Sequence, residues 1–391
     1  YRTNNAVNSF SLSAFTYTTK FFLKVVAVGA FVYLGETYAL FDIPVAAFHF
    51  TSLSGVLALA AVWLAWDLGI YVRHRLRHEW AFLWAHHYVH HQSEDYNLST
   101  AFRSSFIGQL FTYMVHLPYL LICVPAQVYL PIAALINFVQ YFAHTQTVGK
   151  LGWLDEVFMT PSNHRVHHAR NDIYLDKNYG GMLIIWDKLF GTYQRERDDV
   201  PVIFGIKKQI QSFDPIKLNF QAYGQLFRDA WHTRHWRDKL RVFFARTGWR
   251  PQDVRERVAD QVVPDDQFTK HDPLISAGLR RYALAQFFAH LGAVIALLAF
   301  QTTMSLEVLF LACVPVWLGL YAINALLDDA PHSLRLEWNR LLLVAAGSAA
   351  AAVLGSEPLL LLAGGLYTIG SIAALHLATR RASYSGVRAT A

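Results

Sequence analysis

FHFTSLSGVLALAAVWLAWDLGIYVRHRLRHEWAFLWAHHYVHH, residues 48–91, begins as an apolar run and ends in a cluster of histidines. Residues 48–70 are long enough to cross a bilayer as a helix, which takes roughly 20 residues. The same helix is expected to run on past the membrane and carry His74 and His78, which lie four apart and so share a face. His87, His90 and His91 follow on the next segment, and the His-xx-His-His pattern recurs at His164, His167 and His168. Nine of the chain's 18 histidines fall in the windows 74–91 and 164–168, where an even spread would put about one. Neutral imidazole suits iron, zinc, copper and nickel. Eight such ligands exceed the need of one ion, so two metals are expected.

Two further histidines adjoin this frame. His144, in Tyr141-Phe-Ala-His144-Thr, ends an apolar span at the same membrane edge and is expected as a ninth ligand. His86 is set aside in favour of His87, because a helix turns them about 100° apart and His87 completes the repeated pattern. Taken singly, His49, His116, His232, His235, His271, His290, His332 and His376 read as polar tips at an interface.

The rest of the chain is apolar for its length. Hydrophobic residues make up 54% and charged residues 16%, against about 25% charged in soluble domains, and mean hydropathy is +0.24. Candidate spans lie near 20–40, 48–70, 106–124, 126–143, 281–301, 304–325, 339–355 and 358–378, the third and fourth forming a short hairpin. An all-α fold is expected: a polytopic integral-membrane helical bundle with a cytoplasmic, histidine-rich diiron cap. Lys and Arg are absent from the connections 41–47, 125–126, 302–303 and 356–357 and concentrated in 71–105, 144–280 and 326–338. Positive charge stays on the cytoplasmic side. The histidine clusters and both ends are therefore expected there, at the endoplasmic reticulum or a bacterial inner membrane. The net charge of +6 suits anionic lipid, and with no nucleic-acid motif and the basic residues dispersed, nucleic acid is not an expected partner.

Three parts are expected: a membrane bundle over 1–143 with the first two histidine clusters, a cytoplasmic cap over 144–280 with the third, and a C-terminal membrane bundle over 281–391. The last has few ionisable groups in its spans and reads as structural or lipid-contacting. Within the cap, 215–231 and 236–246 suit helices lying in the headgroup plane, or packing on the cap. Cys123 and Cys313 sit in apolar spans and read as small core residues. The start, Tyr1-Arg-Thr-Asn-Asn, reads as mid-protein, with upstream residues expected.

Other polar residues flank the clusters. Asp67, seven residues before His74 on the same face, is positioned either to orient a ligand or to cap a polar pocket. Asn97, Thr100 and Arg103 follow the second cluster and are candidates for hydrogen-bonding ligands or shaping a substrate mouth, and Asn163 and Asn171 bracket the third. Breaking an unactivated C–H bond needs a strong oxidant. Two irons can supply electrons to cleave O₂ in a water-poor site, and a lipid can enter sideways from the bilayer. Two-zinc hydrolases usually add bridging carboxylates, and these clusters contain none. A metal transporter would place its ligands near the midplane, whereas these cluster at one membrane edge.

The strings His74-Arg-Leu-Arg-His78-Glu79, Trp84-Ala-His-His-Tyr-Val-His-His91, Ser93-Glu-Asp-Tyr-Asn-Leu-Ser-Thr100-Ala-Phe-Arg103, Thr160-Pro-Ser-Asn-His-Arg-Val-His-His168 and Asp176-Lys-Asn-Tyr-Gly-Gly-Met-Leu-Ile-Ile-Trp-Asp-Lys-Leu-Phe-Gly191-Thr carry a resemblance. They resemble the fatty acid hydroxylase/sterol desaturase superfamily of membrane diiron enzymes, and within it the branch that acts on alkylglycerols. The resemblance spans roughly residues 1–250. It implies that the eight frame histidines bind two irons and that O₂ and tetrahydrobiopterin hydroxylate the ether-bearing carbon of an alkylglycerol, whose hemiacetal collapses to fatty aldehyde and glycerol. Glu79 matches the family's acid after the second histidine, and is expected to contact pterin or a ligand. Other members act on sterols, carotenoids or acyl chains. No flavin, haem or NAD fingerprint is visible, so electrons must come from pterin, another unbound reductant or an electron-donor protein.

Overall fold

The computed structural model describes residues 1–38, 40–41, 43–108, 118, 122, 124–353 and 358–387. The described elements are helices: α1 (Thr3–Tyr38), α2 (Leu53–Glu79), α3 (Ala81–His91), α4 (Leu98–Phe102), α5 (Ala126–Ala143), α6 (Pro161–His167), α7 (Ile185–Leu189), α8 (Pro215–His232), α9 (Trp236–Phe244), α10 (Ala277–Phe300), α11 (Leu306–Leu327), α12 (Ser333–Val353) and α13 (Pro358–Val387), with short 3-10 turns between. Extended pairing among the described residues is limited to isolated bridges such as Phe158 with Leu183 and Ala169 with Phe204.

Among the described residues, five segments are long and apolar enough to cross a membrane: Leu53–Glu79, Ala126–Ala143, Ala277–Phe300, Leu306–Leu327 and Leu361–Thr379. The all-α membrane bundle read from the sequence holds. The expected spans at 20–40 and 339–355 fall in α1 and α12, which are not among these five. Most of the expected span 106–124, with His116 and Cys123, lies outside the described residues. Cys313 is buried and unpaired.

The chain divides into two compact units. The first takes Tyr1, Thr19–Ile210 and Ile216–Lys270, and the second takes Arg2–Thr18, Gln211–Pro215 and His271–Ala391. In the first unit α2 and α5 pack through Val62, Trp66, Ile70, Val128, Tyr129, Ala133 and Ile136. The Trp66 and Tyr129 rings stack with centroids 5.3 Å apart. That seam runs up to His74 and His78 on one helix and to His144 at the end of the other. Trp80 adopts extended backbone between α2 and α3, so the chain turns there and sends His87, His90 and His91 back toward α2. Tyr88 of α3 donates to the Leu218 carbonyl at 2.7 Å and Phe82 meets Tyr223 edge-on, which seats α8. The opposite side of α8 and α9 leaves Phe227, Trp231, Trp236, Leu240 and Phe244 exposed.

In the second unit α10, α11, α12 and α13 pack in a ring, each against the next and α10 against α13. Tyr282, Leu326, Leu341, Leu375 and Ala378 fill its core. Buried Arg340 pairs with buried Glu337, and also bonds Tyr367 and Gln286. Helix α1 starts at Thr3, well before the apolar stretch near 20. Its polar first half is buried because side chains bond back along the helix, as Thr16 does to the Leu12 carbonyl at 2.9 Å, and across it, as Asn8 does to Asn324 at 2.7 Å.

One loop of the first unit is pinned from below. Asp67, fully buried in α2, accepts from the backbone N–H of Met182 (2.6 Å) and Leu183 (3.0 Å) and from Trp186 Nε1 (2.9 Å). Gly181 sits so close that an added Cβ would lie 2.6 Å from Asp67 Oδ1 and 3.0 Å from Ile70. Asp67→Ala strands three buried donors, so thermal unfolding of the purified chain should show a loss of about 3 kcal/mol or more. Gly181→Ala should also destabilise, by pushing the loop off α2. An unchanged Tm for Asp67→Ala would mean the loop is held by something else.

Candidate metal centre

α2 presents His74 and His78 one turn apart, α3 adds His87, His90 and His91, α5 ends at His144, and α6 carries His164 and His167 with His168 as its cap. α6 is fixed at both flanks. Thr160 caps its start, with Pro161 in the first helical position. Arg165, between the histidines, donates two bonds to Glu196, from Nε at 2.9 Å and from Nη2 at 2.7 Å.

The nine imidazoles meet as two groups, His74, His78, His87, His91 and His167 in one and His90, His144, His164 and His168 in the other. Within each group the potential ligand atoms all lie within 4.8 Å of one another. The groups adjoin: His91 stacks on His168 with centroids 4.3 Å apart. Every histidine expected from the sequence is in one group or the other, His144 among them, and His86 is in neither.

The hydrogen bonds fix which nitrogen is bare. A backbone carbonyl only accepts, so a ring nitrogen bonded to one carries the proton. His74 Nδ1 donates to the Tyr179 carbonyl (3.0 Å), His90 Nδ1 to Arg103 (3.0 Å), His144 Nδ1 to Gln140 (2.8 Å) and His167 Nδ1 to Lys177 (3.0 Å). Their Nε2 lone pairs then face inward. His90 Nε2 and His144 Nε2 lie 3.2 Å apart, and His164 Nε2 lies 3.1 Å from His144 Nε2. In the other group His87 Nε2 is 3.0 Å from His74 Nε2 and 3.2 Å from His91 Nε2. Nε2 of His78, His167 and His168 is buried with no hydrogen-bond partner.

Burial keeps these rings neutral. It pulls His90 down to about 3, with His144 adding to the effect, and His144 down to about 4. Burial and then neighbouring imidazoles hold His87, His91, His164 and His168 well below the ordinary histidine value. Neutral rings with facing lone pairs repel unless a cation sits between them. Two ligands at right angles on an ion with bonds of about 2.1 Å are about 3 Å apart, which the Nε2 spacings match. The donor set is all nitrogen with no carboxylate in either group, and it fits iron.

The other expected site residues lie around this centre. Asp67 bonds the 182–186 loop and no histidine. Glu79 accepts from Arg75 Nε at 2.9 Å, with Arg246 at 3.6 Å, and belongs to neither group. Asn97 caps α4, accepting from the backbone N–H of Ser99 at 2.9 Å, with Thr100 completing the capping box. Arg103 braces α3 by donating to the Val89 carbonyl at 2.8 Å. Asn163 donates to the Asp155 and Phe158 carbonyls, and Asn171 to that of Pro201.

Sequence reasoning missed the residues that hold the rings. Tyr96 lies over His144 and His168, with its hydroxyl on the Ala143 carbonyl. Tyr179 lies against His74, His78 and His167; burial, with Asp176 and Glu79 nearby, raises its phenol so that it keeps its proton. Its hydroxyl is buried without a partner. Buried Asp187 accepts from the N–H of Tyr179 (2.7 Å) and Gly180 (2.8 Å) and so holds the carbonyl that orients His74. Buried Asn178, at φ 57°, bonds the carbonyls of Asn163 and Gln194; asparagine tolerates that left-handed backbone. The only sequence signal was their place in the strings 93–103 and 176–192, which mark segments without giving roles.

The fatty acid hydroxylase family profile matches residues 59–192, a segment that contains all nine histidines. The human alkylglycerol monooxygenase is 33% identical over 345 residues, 88% of this chain and 75% of that protein. The *Danio rerio* alkylglycerol monooxygenase is 33% identical over 345 residues, 87% and 74% of the two chains. An ornithine lipid hydroxylase of *Rhizobium tropici* is 36% identical over 128 residues, 32% of this chain and 39% of its own. No solved structure matches the chain. The chain therefore belongs to the fatty acid hydroxylase family, which makes it an oxygen-dependent lipid monooxygenase.

Proposed function

We propose that the five-histidine and four-histidine groups each hold one iron ion, and that the chain hydroxylates the ether-bearing carbon of an alkylglycerol taken from the bilayer. The observation that carries the metal reading is the facing pair of bare nitrogens, His90 Nε2 and His144 Nε2, 3.2 Å apart with both Nδ1 protons committed to carbonyls. The substrate reading rests on the alkylglycerol monooxygenases that match most of the chain. When bound, the irons supply the electrons that activate O₂ for insertion into a C–H bond. One oxygen enters the substrate and the other leaves as water, taking up two electrons and two protons. The hydroxylated carbon is a hemiacetal, which collapses to fatty aldehyde and glycerol.

The chain's own groups hold and dry the site. Tyr96 and Tyr179 wall the imidazoles off from water, and an apolar, water-poor surround protects oxidising chemistry. The free O–H of Tyr179 is a donor for a substrate oxygen at the five-histidine side. Asp67 acts by positioning the loop that carries Tyr179, and Asn97 by fixing the turn after the second cluster. Glu79, paired with Arg75, is the proposed contact for tetrahydrobiopterin, the reductant; an electron-donor protein is the alternative source. The Lys and Arg distribution supports an active site on the cytoplasmic face of the endoplasmic reticulum or a bacterial inner membrane. The exposed aromatics of α8 and α9 support helices seated among the headgroups.

The match to an ornithine lipid hydroxylase favours a second reading, hydroxylation of a different lipid by the same centre; a sterol or acyl hydroxylase or desaturase belongs with it. Incubation with O₂, reductant and a 1-alkylglycerol should release the matching fatty aldehyde. Gain of one oxygen without cleavage, or loss of two hydrogens from another lipid, would move the assignment to the second reading.

Metal analysis of the purified chain should find about two irons per chain if each group fills one site. His144→Ala and His78→Ala should each remove about one, from opposite groups. One zinc and no iron, with iron reconstitution giving no oxidation, would end the proposal. Tyr179→Phe should keep iron and Tm while lowering turnover at least about tenfold; unchanged turnover would leave Tyr179 as packing alone.

A further inference from the structure

Beside the histidine groups α2 carries two guanidiniums that no described residue neutralises. Arg73 and Arg77 lie four apart on one helix face. Neither has a hydrogen bond or an ion pair to any described residue, and Nε of each is shut off from solvent without a partner. Four buried arginines of the chain are matched by acids. Arg165 pairs with Glu196, Arg170 with Asp265, Arg250 with Asp229 and Arg340 with Glu337. On the same helix Arg75 is satisfied by Glu79. The buried ring of His86 is the neighbour of this pair. Gly108 closes over that ring, so near that an added Cβ would lie 2.9 Å from His86 Cδ2.

Two adjacent, half-buried positive charges without an acid repel one another, and their shielded Nε–H groups go unsatisfied, unless a counter-charge arrives. Guanidiniums spaced one turn apart offer N–H donors that suit a tetrahedral oxyanion. A ring N–H of His86 adds a third donor group. We propose that Arg73, Arg77 and His86 form an anion site for a phosphate group, next to the metal centre and distinct from it. The phosphate is either the headgroup of a lipid whose chain reaches the histidines or a free phosphate ion. The site stands whether or not the histidines hold iron.

The test uses the full chain, purified in uncharged detergent, with thermal unfolding and equilibrium binding as readouts. The probes are inorganic phosphate, a 1-alkylglycerol 3-phosphate and the uncharged 1-alkylglycerol. Both phosphate-bearing probes should raise Tm saturably. In Arg73→Gln and Arg77→Gln that rise should vanish and phosphate affinity should fall at least tenfold, while any response to the uncharged lipid is kept. Arg77→Lys should retain part of the rise. Ligand-free Arg73→Gln/Arg77→Gln should unfold at or above the wild-type Tm, because unmatched charge has been removed. Alkylglycerol phosphate binding at least tenfold tighter than inorganic phosphate identifies a lipid headgroup, and equal affinities identify the free ion. The proposal is overturned if phosphate leaves the wild-type Tm unmoved, if the rise persists in both glutamine variants, or if the ligand-free double variant loses stability as a structural pair would.

Discussion

His90 and His144 commit their Nδ1 protons to the carbonyls of Arg103 and Gln140, so two uncharged nitrogens point at each other across 3.2 Å. Protonating one would relieve the repulsion in water, but burial makes that unfavourable for both rings. A cation supplied from outside the chain would satisfy them together. His74 and His167 in the neighbouring group commit Nδ1 to backbone carbonyls in the same way and so present bare Nε2 atoms. The tautomer of a ligand is set by the bond its far nitrogen makes, and here those bonds go to backbone, which cannot be titrated away.

That requirement explains an otherwise costly loop. Residues 176–192 place two aspartates, an asparagine in left-handed backbone and two adjacent glycines within one short segment. Asp187 holds the Tyr179 N–H, and the Tyr179 carbonyl holds His74. Asp67 holds the far end of the same loop. Each buried carboxylate accepts several donors, which offsets its loss of hydration. The loop therefore works as a brace that keeps carbonyls aimed at Nδ1 atoms. Asp67 has its effect on His74 through this brace rather than by touching the ring.

Most of the candidate metal centre was legible because its signal is spacing. Imidazoles at i, i+3 and i+4 converge by helix geometry alone, and His144 could be added from its place at a span's end. The bracing was not legible, since carbonyls carry no sequence identity and the bonds of Asp67 and Asp187 join positions far apart in the chain. Hydropathy located α2, α5, α10 and α11 but missed the start of α1. There Asn, Ser and Thr side chains between Asn4 and Thr18 are buried, and Ser9, Thr16 and Thr18 bond backbone carbonyls one turn back, so polar composition hid a buried helix. In the same way the C-terminal spans read as poor in ionisable groups, yet Arg340 is buried there and matched by Glu337, Gln286 and Tyr367.

Arg340 and the Arg73–Arg77 pair show two ways in which a chain handles buried positive charge. Arg340 is matched by Glu337 at i−3 and by Gln286 and Tyr367, so it is complete as folded and needs nothing from outside. Arg73 and Arg77 have Glu79 within the same two turns, yet that acid goes to Arg75. A carboxylate on α2 was available and goes to Arg75, which leaves the half-buried pair without an acid among the described residues. A fold selected on stability alone would be expected to give such a like-charged pair a partner. Left as it is, the pair stays open to an incoming anion, and Arg75, already engaged, does not compete for it.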